Sequence, residues 1–145
     1  MEVGQFESTY ECDEQVVETQ GLGPCIGVAI VFNNRVSMTH QSGPYATDEL
    51  DGFLDEVCQR ISFSDRQKIR PIVAGGLLPG GKISVGKDRK YVLSKLEEAG
   101  FGEPQIAWCP DNAESQSIVI DTHLGTAIVE TDYANSPTQR QSLQF

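Results

Sequence analysis

The sequence predicts an α+β fold: a layered α/β sandwich with a largely antiparallel or mixed sheet and two to three helices. Three observations lead there. Most apolar runs are short and come in pairs joined by tight-turn residues, the pattern of hairpins rather than of strand–helix–strand crossovers. Two longer segments space apolar residues at i, i+3, i+4 and i+7, the stripe of a helix laid on a sheet. With 145 residues, the chain is one domain long enough for a real core.

Taken in order, strands are expected at 5–10 and 15–19, leading into the glycine-rich stretch Thr19-Gln-Gly-Leu-Gly-Pro-Cys25. A hairpin follows: 26–32 is a buried strand, Asn33-Asn34 a two-residue turn, and 35–39 the returning strand. Asn tolerates the positive φ that such turns need. Thr47 is expected to cap a helix over 48–61 that turns Leu50, Phe53, Leu54, Val57, Cys58 and Ile61 inward. Residues 69–74 read as a strand with Pro71 at its edge or start. A second helix is expected over 88–99, with Val92, Leu93 and Leu96 inward and Gly100 as its stop. Strands at 105–109, 116–121 and 126–131 complete the domain, 1–131. The Gln-, Ser- and Asn-rich tail, 132–145, is expected to be disordered.

Composition excludes some functions. Eleven basic against twenty-one acidic residues give a net charge of −10, and no basic cluster occurs. Nucleic acid and anionic membrane are therefore not the expected partners. No apolar run approaches membrane-spanning length and no Sec-type leader follows Met1, so a cytoplasmic protein is expected, or one secreted without such a signal. Gly76-Leu-Leu-Pro-Gly-Gly81-Lys82-Ile83 imitates a phosphate-binding loop, but Ile83 stands where Ser or Thr must bind magnesium. The segment 83–85 also reads as extended rather than helical, so a plain turn is expected there.

Cys12, Cys25, Cys58 and Cys109 are widely spaced, with no C-x-x-C and no clustered histidines, so neither a metal site nor a disulfide framework is expected. Cys58 and Cys109 read as structural, and Cys12 as an exposed bystander in an acidic segment. Cys25 alone is flanked by small turn residues. By itself it fits either a small buried residue opening a strand or a nucleophile held where it can be approached.

The hairpin register bears on that choice. If Phe32 pairs with Arg35, then Val31 faces Val36, Ala29 faces Met38 and Gly27 faces His40. Alternation then places Cys25, Gly27, Ala29, Val31, Val36, Met38 and His40 on one face. Cys25 lies diagonal to His40 at a Cβ separation of about 7–8 Å, and Gly27 leaves room opposite the ring. Cysteine and histidine together suffice for acyl chemistry, because the imidazole can take the thiol proton and return it to a leaving amine.

Thr19, Gly21, Leu22, Gly23 and Cys25, an apolar strand, and then Met38 and His40 form a pattern that resembles the CheD family of chemoreceptor glutamine deamidases. Members show T-L-G-L-G-S-C, an apolar strand and G-x-M-A-H-x-x-L-P. Ile72-Val-Ala-Gly-Gly76, Ser84-Val-Gly-Lys-Asp88 and the closing segment from Ser117 through Gly125 resemble later family blocks in the same order. Cytotoxic necrotizing factor-type toxins share this Cys–His deamidase fold, so the pattern points first to a superfamily. The chain departs from the family at Pro24, at Val36-Ser37, at Ser42-Gly43-Pro44 and at Cys109-Pro-Asp111-Asn112.

The resemblance implies a protein-glutamine amidohydrolase that uses no metal and no cofactor. Cys25 would be the nucleophile and His40 the base. Thr19 would orient the ring, although it also fits a plain β-branched strand end. Oxyanion donors would come from the Cys25 amide with Gly23 or Gly21. The partner would be a glutamine-bearing protein, a chemoreceptor or another, met in a shallow cleft. Three alternatives stay open: an effector acting on a host protein, a transglutaminase, and an inactive CheD-like binding module. His123 reads as an exposed loop residue.

Overall fold

The computed structural model describes residues 1–78 and 83–145, and the described residues form nine strands and three helices. They are β1 (Ser8–Cys12), β2 (Val16–Leu22), β3 (Ile26–Phe32), β4 (Arg35–Gln41), α1 (Glu49–Arg60), α2 (Phe63–Arg66), β5 (Ile72–Gly75), α3 (Ile83–Glu98), β6 (Gln105–Trp108), β7 (Ser115–Asp121), β8 (Thr126–Asp132) and β9 (Gln139–Leu143). A 3-10 turn, Pro44–Ala46, precedes α1.

The fold is α+β. A mixed sheet in the order β1-β4-β3-β5-β6 is antiparallel except for the β5–β6 pair, and a second, antiparallel sheet runs β2-β7-β8-β9. β3 explains the layering. Its run Ile-Gly-Val-Ala-Ile is buried on both faces, as a central strand covered on each side must be. Ile26, Val28 and Ile30 meet Leu50, Phe53, Val57, Val92 and Leu96 of the helices. Ala29 meets Val36, Met38, Val17, Leu22, Ile118 and Ile120 between the sheets. Two cores therefore lie back to back across one sheet, with α1 and α3 outside it.

The hairpin register is the predicted one: Phe32 pairs with Arg35, Ala29 with Met38 and Gly27 with His40, through Asn33 and Asn34 at φ 51° and 58°. The α1 stripe is also as predicted, except that Cys58 is only half-buried. Pro71 precedes β5 rather than marking an edge, and β5 lies between β3 and β6.

Several expectations are corrected. α3 begins at Ile83, not at residue 88. The β-branched residues and Gly86 lower local helix propensity there, but the Asp88 carboxylate accepts the Tyr45 N–H at 2.9 Å and ties the new turns to the 3-10 segment. The plain turn expected before it falls on residues 79–82, outside the described residues. A helix does follow that motif, so only the residue types, above all Ile83, speak against a phosphate loop.

The tail is not disordered, because β9 pairs with β8 from Ala127↔Leu143 to Thr131↔Gln139. An edge strand is held by its backbone ladder, so polar side chains do not prevent it. Thr47 does not cap α1. It ends the 3-10 turn in extended conformation and Asp48 takes the N-cap position. Cys12 is buried, not exposed. A one-residue bulge between Thr9 and Cys12, with Glu11 at φ 46°, turns it into the inter-sheet core. No described helix is long and apolar enough to cross a membrane.

Candidate active site

Thr19 and Cys25 belong to one stretch of chain but reach the site by different devices. In β2, Thr19 pairs with Ile118 while Leu22 pairs with Gln116, so one extra residue bulges out. Gly21 carries the bulge at φ 69°, a conformation that costs any side chain with a Cβ. As a result Thr19 and Leu22, three residues apart, both face the core and are fully buried. Strict alternation would have turned one of them out.

After Leu22 the chain crosses from the second sheet to the first. Gly75 and Gly76 grip it there. The Gly76 N–H donates to the Cys25 carbonyl at 2.9 Å, and the Leu77 N–H to the Gly23 carbonyl at 2.8 Å. The approach is so close that a Cβ on Gly75 would lie 2.1 Å from the Cys25 carbonyl oxygen, and Gly75 adopts φ 89°. Gln116 of β7 fixes this glycine from across the sheets. Its Oε1 accepts the Gly75 N–H at 2.7 Å, and its Nε2 donates to Thr131 Oγ1 at 3.1 Å.

His40 completes the site. Thr19 Oγ1 donates its single proton to the Val3 carbonyl at 2.7 Å and lies 2.8 Å from His40 Nδ1. With that proton committed, the hydroxyl accepts from the ring, so the network assigns the neutral imidazole its proton on Nδ1. The lone pair then sits on Nε2, which is buried and has no hydrogen-bond partner among the described residues. That is the arrangement of a base held ready.

The electrostatics favour neutral partners at rest. Burial pushes the Cys25 thiol above its ordinary value of 9.0, and the Asp88 charge pushes the same way, while a hydrogen bond with the Ser42 side chain pulls back. Burial holds the His40 imidazolium below its ordinary 6.5. Both shifts favour the neutral thiol and the neutral imidazole over a preformed thiolate–imidazolium pair. The expected shallow cleft is nearly closed, since Cys25 keeps 8 % of its surface and His40 3 %. A polar cavity of about 550 Å³, lined by Glu11, Arg35, Arg60 and Asp65 among others, opens at the Asn33-Asn34 end of the hairpin, remote from the thiol.

Thr19 and His40 thus meet in a hydrogen bond and Cys25 lies in the inter-sheet layer, with no hydrogen bond between Cys25 and His40 among the described residues. The glycines are engaged otherwise than expected. Gly23 gives its N–H to the Gly21 carbonyl at 3.0 Å. Gly21 lines the outer face of the second sheet with Glu18, Gln20 and Ser117, where its role is the bulge. The space beside Gly27 is filled by Leu22 and Ile118, whose methyls would stand 2.9 and 3.1 Å from a Cβ there. The Cys25 N–H is accepted by no backbone carbonyl among the described residues. His123 is exposed in the β7–β8 turn. Cys109 is buried beside β6.

Sequence reasoning missed two participants: the Val3 carbonyl and Gln116. A backbone acceptor leaves no trace in residue type, and Gln116 acts across a sequence separation that pattern alone does not reveal. Among the described residues no three His, Cys, Asp or Glu side chains gather in metal-binding geometry. No protein-family model matches this chain, and no curated protein does.

Proposed function

We propose that this chain is a protein-glutamine deamidase of the CheD type, acting through Cys25, His40 and Thr19. One observation carries the reading: the relay from the Val3 carbonyl through Thr19 Oγ1 to His40 Nδ1, which leaves an unpartnered Nε2 lone pair in the layer that holds Cys25. A histidine serving only the core would have both ring nitrogens satisfied.

In the proposed reaction, Cys25 Sγ attacks the carboxamide carbon while His40 Nε2 takes the thiol proton. The Cys25 N–H faces the developing oxyanion. His40 returns the proton to the departing nitrogen, which leaves as ammonia, and a thioester remains. Water, deprotonated by the same nitrogen, then cleaves the thioester, so glutamine becomes glutamate and the thiol is regenerated. The raised thiol and lowered imidazole suit a mechanism in which proton transfer accompanies attack.

The test is ammonia release from glutamine-bearing proteins, with mass spectrometry to find the gain from replacing NH2 by OH. Activity retained in Cys25→Ala overturns the proposal. A second reading, a deamidase fold kept for docking only, draws on the near-complete cover over Cys25 and its raised thiol. Selective alkylation of Cys25 at neutral pH speaks for the enzyme, and complete inertness speaks for the docking module.

A further inference from the structure

Thr19 belongs to β2 of the second sheet and His40 to β4 of the first, and the short chain before β1 is bonded to both. On the β2 side, the Val3 N–H donates to the Glu18 carbonyl at 2.8 Å and the Glu18 N–H to the Met1 carbonyl at 2.9 Å. The Val3 carbonyl there accepts the Thr19 hydroxyl at 2.7 Å. On the β4 side, both main-chain groups of His40 are taken. Its carbonyl accepts the Phe6 N–H at 3.1 Å, and its N–H donates to the Glu7 carbonyl at 3.2 Å. One end of the segment thus reaches the base through its ring, and the other holds it by its backbone.

A tight turn joins the two ends. The Glu7 N–H donates to the Gly4 carbonyl at 3.0 Å, and Glu7 Oε1 accepts the Gly4 N–H at 2.7 Å. Phe6 takes the third position of this turn at φ 65°, where Gly or Asn is the usual residue. Its side chain is 62 % exposed, so burial of the ring does little to offset that backbone cost. The strained residue is the one whose N–H meets the His40 carbonyl. At the other end Val3 is 2 % exposed and packs in the same inter-sheet cluster as Cys25.

We propose that residues 3–7 form a positioning strap for the base: seated across both sheets they keep His40 an acceptor at Nε2, and lifted they release it to the other tautomer. This rests on the deamidase reading and adds a control point to it. With the strap lifted, the Thr19 proton loses its acceptor and can turn toward Nδ1. The ring then carries its own proton on Nε2, a donor where the thiol needs an acceptor. Only that ring proton moves, by exchange with water. A partner that draws this segment away therefore lowers activity without touching Cys25.

The full chain reports the strap without a substrate. Ring nitrogen-15 shifts distinguish a bare from a protonated nitrogen, and His40→Gln identifies the His40 signals. Wild type is expected to carry the proton on Nδ1 and none on Nε2. Phe6→Pro has no N–H for the His40 carbonyl and cannot reach φ 65°. Its ring is expected to shift toward protonated Nε2, and ammonia release to fall about tenfold, chiefly in kcat. Phe6→Gly also removes the aromatic ring but keeps the N–H and adopts that φ freely, so its nitrogen signals are expected to match wild type. Pro and Gly variants with the same signals overturn the strap. So does a wild-type ring protonated on Nε2, or Val3 and Phe6 amides that exchange within about tenfold of the unfolded rate. If Phe6→Pro does not fold, these two wild-type measurements decide. The two readings fail separately. Ammonia release that is equal in the Pro and Gly variants overturns the strap alone, while signals that differ as expected in a chain that releases no ammonia from any glutamine protein overturn the deamidase.

Discussion

Cys25 and Cys109 make an instructive pair. Both are buried, and both stand where the chain meets the Gly75-Gly76 turn, Cys25 through its carbonyl and Cys109 through its N–H to the Gly75 carbonyl at 2.7 Å. Burial raises both thiols. Their charged surroundings differ: Arg89 pulls the Cys109 thiol down against Asp111, whereas the charge acting on Cys25, that of Asp88, only pushes it up. Neither thiol is acidified by its surroundings on balance. What Cys25 has instead is a place in the inter-sheet layer with an imidazole whose tautomer is fixed and whose lone pair is open. In the proposed reaction, where the thiol stays neutral until it attacks, a proton acceptor counts for more than a cation.

The largest effect should separate the two cysteines. Cys25→Ala is expected to lower ammonia release by about a thousandfold or more, and His40→Gln by about a hundredfold to ten-thousandfold, while Cys109→Ala stays near wild type. Equal losses from Cys25→Ala and Cys109→Ala would erase the distinction drawn here. Ammonia assays on all three variants decide it.

The shared turn comes next. Gly75→Ala puts a Cβ against the Cys25 carbonyl at a backbone angle that alanine rarely adopts, and should destabilise the fold by about 2–4 kcal/mol in urea titration. Gly23→Ala, where the nearest atom to a Cβ is 3.7 Å away, should cost about 1 kcal/mol or less. A reversed order would mean that the Gly75 grip on Cys25 is not the close contact described.

Thr19→Val tests the relay. Removing the hydroxyl frees the ring to take the other tautomer, and kcat is expected to fall about tenfold to a hundredfold with KM little changed. Thr19→Ser should restore most of the activity, which a purely space-filling role would not predict. The acidic limb of the pH–rate profile should also shift in Thr19→Val.

The smallest effect is on stability. His40 is held below 6.5 in the fold by burial, so the unfolded chain binds a proton more readily. This contribution is complete above 6.5 and is lost as pH falls through the lower folded value. Urea midpoints should therefore drop more steeply on acidification for wild type than for His40→Gln, and parallel profiles would contradict the buried, neutral ring. For activity the same sign predicts a base form that persists below pH 6.5, with thiol ionisation entering only above 9.0.

Much of this was legible beforehand because hairpins are local. The pairing of Gly27 with His40 follows from a two-residue turn and a period of two. The stripe of α1 likewise follows from its spacing. The bulges were not legible. Nothing in Thr19-Gln-Gly-Leu-Gly distinguishes a glycine that lends an N–H to an oxyanion from one that absorbs an extra residue, and the pairing partners Ile118 and Gln116 lie about a hundred residues away. The polar strand β9 was hidden for a related reason, since its ladder is made by backbone atoms that every sequence has.

By itself the sequence determined which residues could do chemistry, and one pairing register that brings Cys25 and His40 to the same face, because turn type and alternation are near-neighbour properties. The tertiary structure decided what those residues are at rest. It joined Val3 to Thr19 and Thr19 to His40, and covered the thiol. Proton position and charge depend on burial and on contacts across the two sheets, and those exist only once the layers have closed.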